Sequence, residues 1–256
     1  MKKFKVGIVF FVLGLIGVLS LLSMPFPMEI LPKEAQEIIL KDFTLMQLRW
    51  LNLTNPTMLL FSSAILGAFL HQKVGFKSII VYYFFDKKEI FTSVNNSLKT
   101  GLIGGGVLGI ILFFIWLFTK NLEFVHILEN KITSPSWYSR ILYGGITEEI
   151  IVRWGWMSLV VYILQFLIKS NYKLVVTIAI LFSSFLFGLA HLPLVVVGIG
   201  IENLTLTISS YVIGTNMLVG IVLGIVYYKS SIEAAMLSHI LAHVFLILVE
   251  LVIILS

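Results

Sequence analysis

The segment Gly144–Trp154, GGITEEIIVRW, sets Glu148, Glu149 and Arg153 inside an otherwise apolar run. A charge at the centre of a bilayer costs about 2.5–3.5 kcal/mol on insertion scales, so ionised groups there must be paired or hydrated. Glu149 and Arg153 are four residues apart with the acid N-terminal, the favourable order for pairing on a helix. Glu148 points about 100° away around the same helix. One glutamate is therefore neutralised by Arg153 while its neighbour is free for chemistry. Three histidines lie in later apolar runs. His191 closes FLFGLAH with Phe187 one turn before it, and His239 and His243 share a face in LSHILAH. An unpaired carboxylate and several imidazoles converging at membrane depth describe a polar cavity. The chemistry open to such a set is hydrolysis, which needs a base for water, donors for an oxyanion and an acid for the leaving group.

Two other readings fit the same residues. Glu148, His191, His239 and His243 are all possible Zn²⁺ ligands, and histidines at i and i+4 can share one ion. There is no HExxH, however, and no cofactor is expected. Alternatively, the polar cluster holds helices together in a non-catalytic scaffold or immunity protein. No GxSxG is present, so Ser183, Ser184, Ser209 and Ser210 read as small packing residues. The chain has no cysteine, which excludes disulfides, thiolate nucleophiles and cysteine-ligated metals. His71 and His126, at a helix end and in a loop, read as interfacial.

The elements that must position these groups are membrane helices. Of 256 residues, 59% are hydrophobic and 12% charged, and mean hydropathy is +1.02. A soluble domain carries about 25% charged residues, so lipid is the solvent here. Seven runs approach the roughly 20 apolar residues a spanning helix needs: 6–24, 54–70, 100–119, 139–168, 174–191, 205–228 and 232–254. The expected fold is an all-α polytopic membrane protein of about seven to eight transmembrane helices enclosing a polar intramembrane cavity. Residues 1–120 form N-terminal transmembrane helices, and 121–256 form a core carrying the charged motifs. Residues 79–85 are apolar but too short to span, and belong to the interface or to an eighth, broken segment. Within 33–51, Ile39, Phe43, Met46 and Trp50 recur at helical spacing, which fits an amphipathic helix in the interface or one packed on the bundle. Residues 192–201 are apolar, with Pro193, Gly198 and Gly200. They suit a buried, non-helical or re-entrant segment that ends the preceding helix at membrane depth.

The formal charge of +5 does not indicate nucleic acid, because the lysines sit between apolar runs. Lys2, Lys3 and Lys5 precede the first run, Lys73, Lys77, Lys87, Lys88 and Lys99 crowd the second connection, and no lysine or arginine follows Lys229. By the positive-inside rule the N-terminus is cytoplasmic and the C-terminus outside, in the plasma membrane. The first run is too long for a signal-peptide core and lacks a small-x-small cleavage site, so it reads as a retained helix.

Three motifs in order carry a resemblance. EEIIVR matches EExxxR, FGLAH matches FxxxH, and HILAH nearly matches HxxxN. Together, over roughly 138–245, they resemble the CPBP family of CAAX proteases and bacteriocin-processing enzymes, also called the Abi family. The resemblance implies a glutamate-dependent intramembrane endopeptidase. Glu148 and His191 would hold and activate the attacking water, and Glu149 and Arg153 would shape the site with Phe187. His239 and the third-motif residue, here His243 where the family usually has asparagine, would stabilise the oxyanion. A neutral imidazole also donates one hydrogen bond. Family substrates are protein or peptide: prenylated proteins, bacteriocin precursors or peptide pheromones.

Overall fold

A computed structural model describes residues 2–28, 31–85, 90–132 and 135–255. Among these there is no strand, and seven helices are long and apolar enough to cross a membrane. The first span, Lys2–Ser23, is α1 (Lys2–Ser20) closed by a 3₁₀ turn. After α2 (Lys33–Asp42), the second span, Leu45–Leu70, joins α3 (Leu45–Asn52) to α4 (Thr54–Leu70). The short α5 (Ile79–Phe85) precedes the third span, α6 (Ile90–Thr119), and α7 (Glu123–Lys131) follows it. The fourth span, Trp137–Leu167, is a single rod. It begins as α8 (Trp137–Ser139), runs as π-helix over Arg140–Glu148 and Ile150–Met157, and ends as α9 (Ser158–Leu167). The fifth, Tyr172–Ile199, holds α10 (Tyr172–Leu189) and α11 (Leu192–Ile199). The last two are α12 (Leu206–Lys229) and α13 (Ile232–Leu255). Leu102, Ile110 and Phe118 of α6, like Val12 and Ile16 of α1, face outward without cover, as lipid-facing residues do. This is an integral membrane protein.

The rod lies at the centre. α1 and α13 pack on its first π-helical stretch, α4 on its second, and α10 along the latter. The approach of α1 depends on Gly17, where a β-carbon would fall on Thr147 Oγ1 and the Leu142 carbonyl. The closeness lets Thr147 Oγ1 donate to the Gly14 carbonyl at 2.7 Å. One turn beyond the charged motif, Trp154 is fully buried. Its ring stacks on Phe10 of α1 at 4.3 Å and on His71 at the end of α4 at 4.9 Å, while its Nε1 donates to the Ala64 carbonyl at 3.2 Å. The N-terminal helices thus brace the rod from behind.

Several local expectations need correction. The fourth span is π-helical through its centre, which its apolar periodicity did not signal. Hydroxyls follow that geometry: Thr147 Oγ1 and Ser158 Oγ each lie 3.4 Å from the carbonyl oxygen five residues back, of Leu142 and Arg153. Residues 33–51 are two helices, because Thr44 caps α3 in a reciprocal box with Gln47 and so ends α2 before it. Phe43, Met46 and Trp50 are exposed, not packed on the bundle. Residues 192–199 are helical, started by Pro193 in the first turn, where its missing N–H costs nothing. Residues 79–85 form a helix of their own, whose start is held from α13: Ser78 Oγ and the Ile80 N–H donate to Glu233 Oε1 at 2.6 and 3.1 Å. His71 is buried, not interfacial, and its Nδ1 donates to the Gly67 carbonyl at 2.9 Å. His126 is exposed beside Glu129. Lys87 and Lys88 lie outside the described residues.

Candidate active site

The two glutamates of the rod part company. Glu149 turns into the protein and is fully buried, as is Arg153. Its Oε2 stands 3.5 Å from Arg153 Nε, and its Oε1 accepts from His239 Nδ1 at 3.0 Å. Arg153 also donates from Nη2 to the Gly220 carbonyl of α12 at 3.2 Å, and lays its guanidinium over the Phe187 ring with 4.7 Å from Cζ to the centroid. The carboxylate and the guanidinium are buried as a pair, as buried charge requires, and an imidazole and a carbonyl take one bond each, while Glu149 Oε2 and Arg153 Nε and Nη1 have no hydrogen-bond partner among the described residues. Phe187 is the hub of this packing. Its ring meets His191 edge-on at 4.7 Å and His239 at 5.9 Å, so one aromatic face holds the cation and its edges set two imidazoles.

Glu148 faces the other way, into a cavity of about 390 Å³. His191, His243, Arg140, Tyr143 and Gly144 line the same space, closed above by Leu21 and Met24 from the end of the first span and by Leu59 of α4. His191 stands at the break between α10 and α11. Its Nδ1 lies 2.7 Å from the Phe187 carbonyl, which can only accept, so Nδ1 carries the proton. In the neutral ring Nε2 is then an acceptor, the form a base requires. His243 stacks on His239 at 4.8 Å, and neither of its ring nitrogens has a hydrogen-bond partner in the protein. Each neutral imidazole carries one N–H, so His243 has a donor to offer a ligand.

Of the seven residues selected from sequence, Glu148, His191, His243 and Phe187 line the cavity, while Glu149, Arg153 and His239 form the layer behind it. His239 was expected to face the developing oxyanion, but it is buried and its Nδ1 proton is committed to Glu149. It can donate a second bond only as an imidazolium. Arg140, Tyr143 and the N-terminal contributors Leu21, Met24 and Leu59 were not selected, since no spacing rule connects them to the motifs. Among the described residues, no three His, Cys, Asp or Glu side chains stand close enough to hold one metal ion.

His243 reaches this position because residue 144 has no side chain. A β-carbon on Gly144 would fall on His243 Nε2. Gly144→Ala is therefore expected to swing the imidazole out of place. The ring is the free end of a side chain, so the strain is relieved by rotation and stability falls by no more than about 1–3 kcal/mol. If His243 supplies an oxyanion donor, kcat falls about 10²–10³-fold. Turnover measured beside thermal unfolding in detergent checks this, and an unchanged kcat would dismiss the His243 position as irrelevant.

Fold and site together define a polytopic helical membrane protein with a carboxylate–imidazole cavity sunk within its helices. Residues 131–245 match the family model described as type II CAAX prenyl endopeptidase Rce1-like, so this part of the chain is similar to the CAAX protease family. No curated protein and no solved structure matches the chain. The matched segment contains every motif residue, whereas Leu21, Met24 and Leu59 of the cavity lie outside it. The family so matched is one of hydrolases that act on protein or peptide in a membrane.

Proposed function

We propose that the protein is an intramembrane endopeptidase in which Glu148 activates water against a peptide bond. The observation that carries this reading is the division of labour between adjacent carboxylates: Glu149 is occupied by Arg153 and His239, while Glu148 pairs with neither and faces the cavity. Water held between Glu148 and the free Nε2 of His191 loses a proton to the carboxylate as it attacks the carbonyl carbon. The oxygen that gains charge is met by the His243 N–H. Glu148 then returns the proton to the departing amine, so one group serves as base and acid in turn. Arg153 and Phe187 act through others: they fix Glu149, His239 and His191. Substrates of this class include prenylated proteins, bacteriocin precursors and peptide pheromones, each a membrane-associated chain.

The test is cleavage of a membrane-anchored fluorogenic peptide by purified protein in nanodiscs, with and without a strong chelator. We expect turnover in both, equal within about twofold, because water activation by a carboxylate draws on no metal. Loss of activity on chelation, restored by Zn²⁺, would instead assign Glu148, His191 and His243 as ligands. No turnover of any peptide would leave the scaffold reading.

A further inference from the structure

Among the described residues, the cavity that receives Glu148, His191 and His243 is lined by a single lysine or arginine, Arg140. Its guanidinium is engaged by Glu250 of α13 through two parallel bonds, Nη1 to Oε2 and Nη2 to Oε1, both 2.6 Å. This fork-to-fork geometry is the one in which arginine recognises a carboxylate in particular. The two sides of the pair are unequally covered: the Arg140 side chain is 14% exposed and that of Glu250 47%. Glu250 is also the only Asp, Glu, Lys or Arg after Glu233. An isolated acid so far along an apolar helix needs a partner, and it takes one that lines the reaction cavity.

We propose that Arg140 is the receptor for the terminal carboxylate of a substrate peptide, and that Glu250 is an in-chain carboxylate occupying that receptor between turnovers. The inference rests on the endopeptidase reading and adds how substrate is anchored and selected. Exchange of one carboxylate for another leaves the charge on Arg140 balanced throughout. A half-exposed ion pair contributes little to stability, so Glu250 yields its place at small cost. The spacing fits the role. Arg140 and Glu148 lie eight positions apart on one rod, whose π-helical course keeps their axial separation under the ~12 Å of an α-helical rise. An extended peptide covers ~3.3–3.6 Å per residue. A carboxylate on Arg140 therefore leaves room for a short peptide end between that receptor and Glu148. Ser139, next to Arg140 and also lining the cavity, has its hydroxyl among those of Ser23 and Ser136, a polar margin along the same edge.

The experiment separates anchoring from catalysis. Glu148→Gln protein in nanodiscs is titrated with a labelled apolar peptide carrying either a free C-terminal carboxylate or a carboxamide, and binding is followed by fluorescence anisotropy. The acid is expected to bind about tenfold or more tightly than the amide, the scale of one charge-assisted bidentate contact. Adding Arg140→Gln should reduce the acid to the affinity of the amide, and unchanged amide binding verifies that the cavity is intact. Adding Glu250→Gln should tighten the acid several-fold and leave the amide unmoved. Equal binding of acid and amide, binding of neither at roughly millimolar peptide, or weaker acid binding after Glu250→Gln would overturn the proposal. Wild-type turnover of the same peptides reads the endopeptidase assignment by itself. Cleavage without acid–amide discrimination keeps the enzyme and removes Arg140's role, whereas discrimination in binding without cleavage does the reverse.

Discussion

Glu148→Gln is expected to end peptide hydrolysis while leaving the protein folded. The amide keeps the shape of the side chain but cannot take a proton from water, and loss of a general base removes about 10²–10⁴-fold in rate. Because the same group also returns the proton to the amine, the loss falls in kcat, and KM stays near its original value. The structure gives reason to expect an intact fold. Glu148 borders the cavity and the buried ion pair belongs to its neighbour, so no stranded charge results. The measurement is single-turnover cleavage by purified variants beside thermal unfolding in detergent. Retained turnover at more than about one per cent of wild type would remove Glu148 from the role proposed here.

Arg153→Leu should do the opposite. Leucine fills much of the space and leaves Glu149 buried with only His239 for company. Removing one partner of a buried pair costs about 3–5 kcal/mol, much of it the penalty of the uncompensated charge. The Phe187 ring loses the cation on its face, and the Gly220 carbonyl loses its donor. We expect a marked fall in melting temperature and in the yield of inserted protein, well beyond that of Glu148→Gln. Activity falls as well, because His191 and His239 both lean on Phe187. Equal melting temperatures for Arg153→Leu and Glu148→Gln would mean that the pair carries no structural load. A double variant, Glu149→Gln with Arg153→Leu, removes both charges and should recover part of the lost stability.

The seven spans were legible because a run of some twenty apolar residues has no other stable setting. The charged motif stood out for the complementary reason, since Glu148, Glu149 and Arg153 are costly where they sit. The family resemblance followed from three short motifs, each on an apolar helix, and the matched segment contains all three. What escaped was of two kinds. Contacts between distant elements leave no spacing to read: Arg140 with Glu250, Trp154 between Phe10 and His71, and Leu21 and Met24 over the cavity all depend on how helices meet. Other features had local signals that a stronger pattern masked. Thr44 and Gln47 spell a capping box, yet the apolar periodicity of 33–51 runs straight through it. Pro193 reads as a breaker, but it serves equally to begin a helix. The π-helical course of Arg140–Met157 has no counterpart in the apolar pattern, and no single residue in the structure accounts for it.

The buried layer behind the cavity also sets a schedule for biosynthesis. Glu149 and Arg153 are made together and enter the membrane with the fourth span, but the Gly220 carbonyl and His239 that complete their bonding arrive with the sixth and seventh. At ~5–20 residues per second, the roughly ninety residues from Arg153 to His239 take on the order of 4–20 s to synthesise. Until Phe187 emerges with the fifth span and Gly220 with the sixth, the acid and the base have only each other within the nascent chain. Their spacing of four on one helix is what allows the segment to wait in the insertion machinery as a locally neutral unit. The helices that brace it from the other side, α1 and α4, are by then already made.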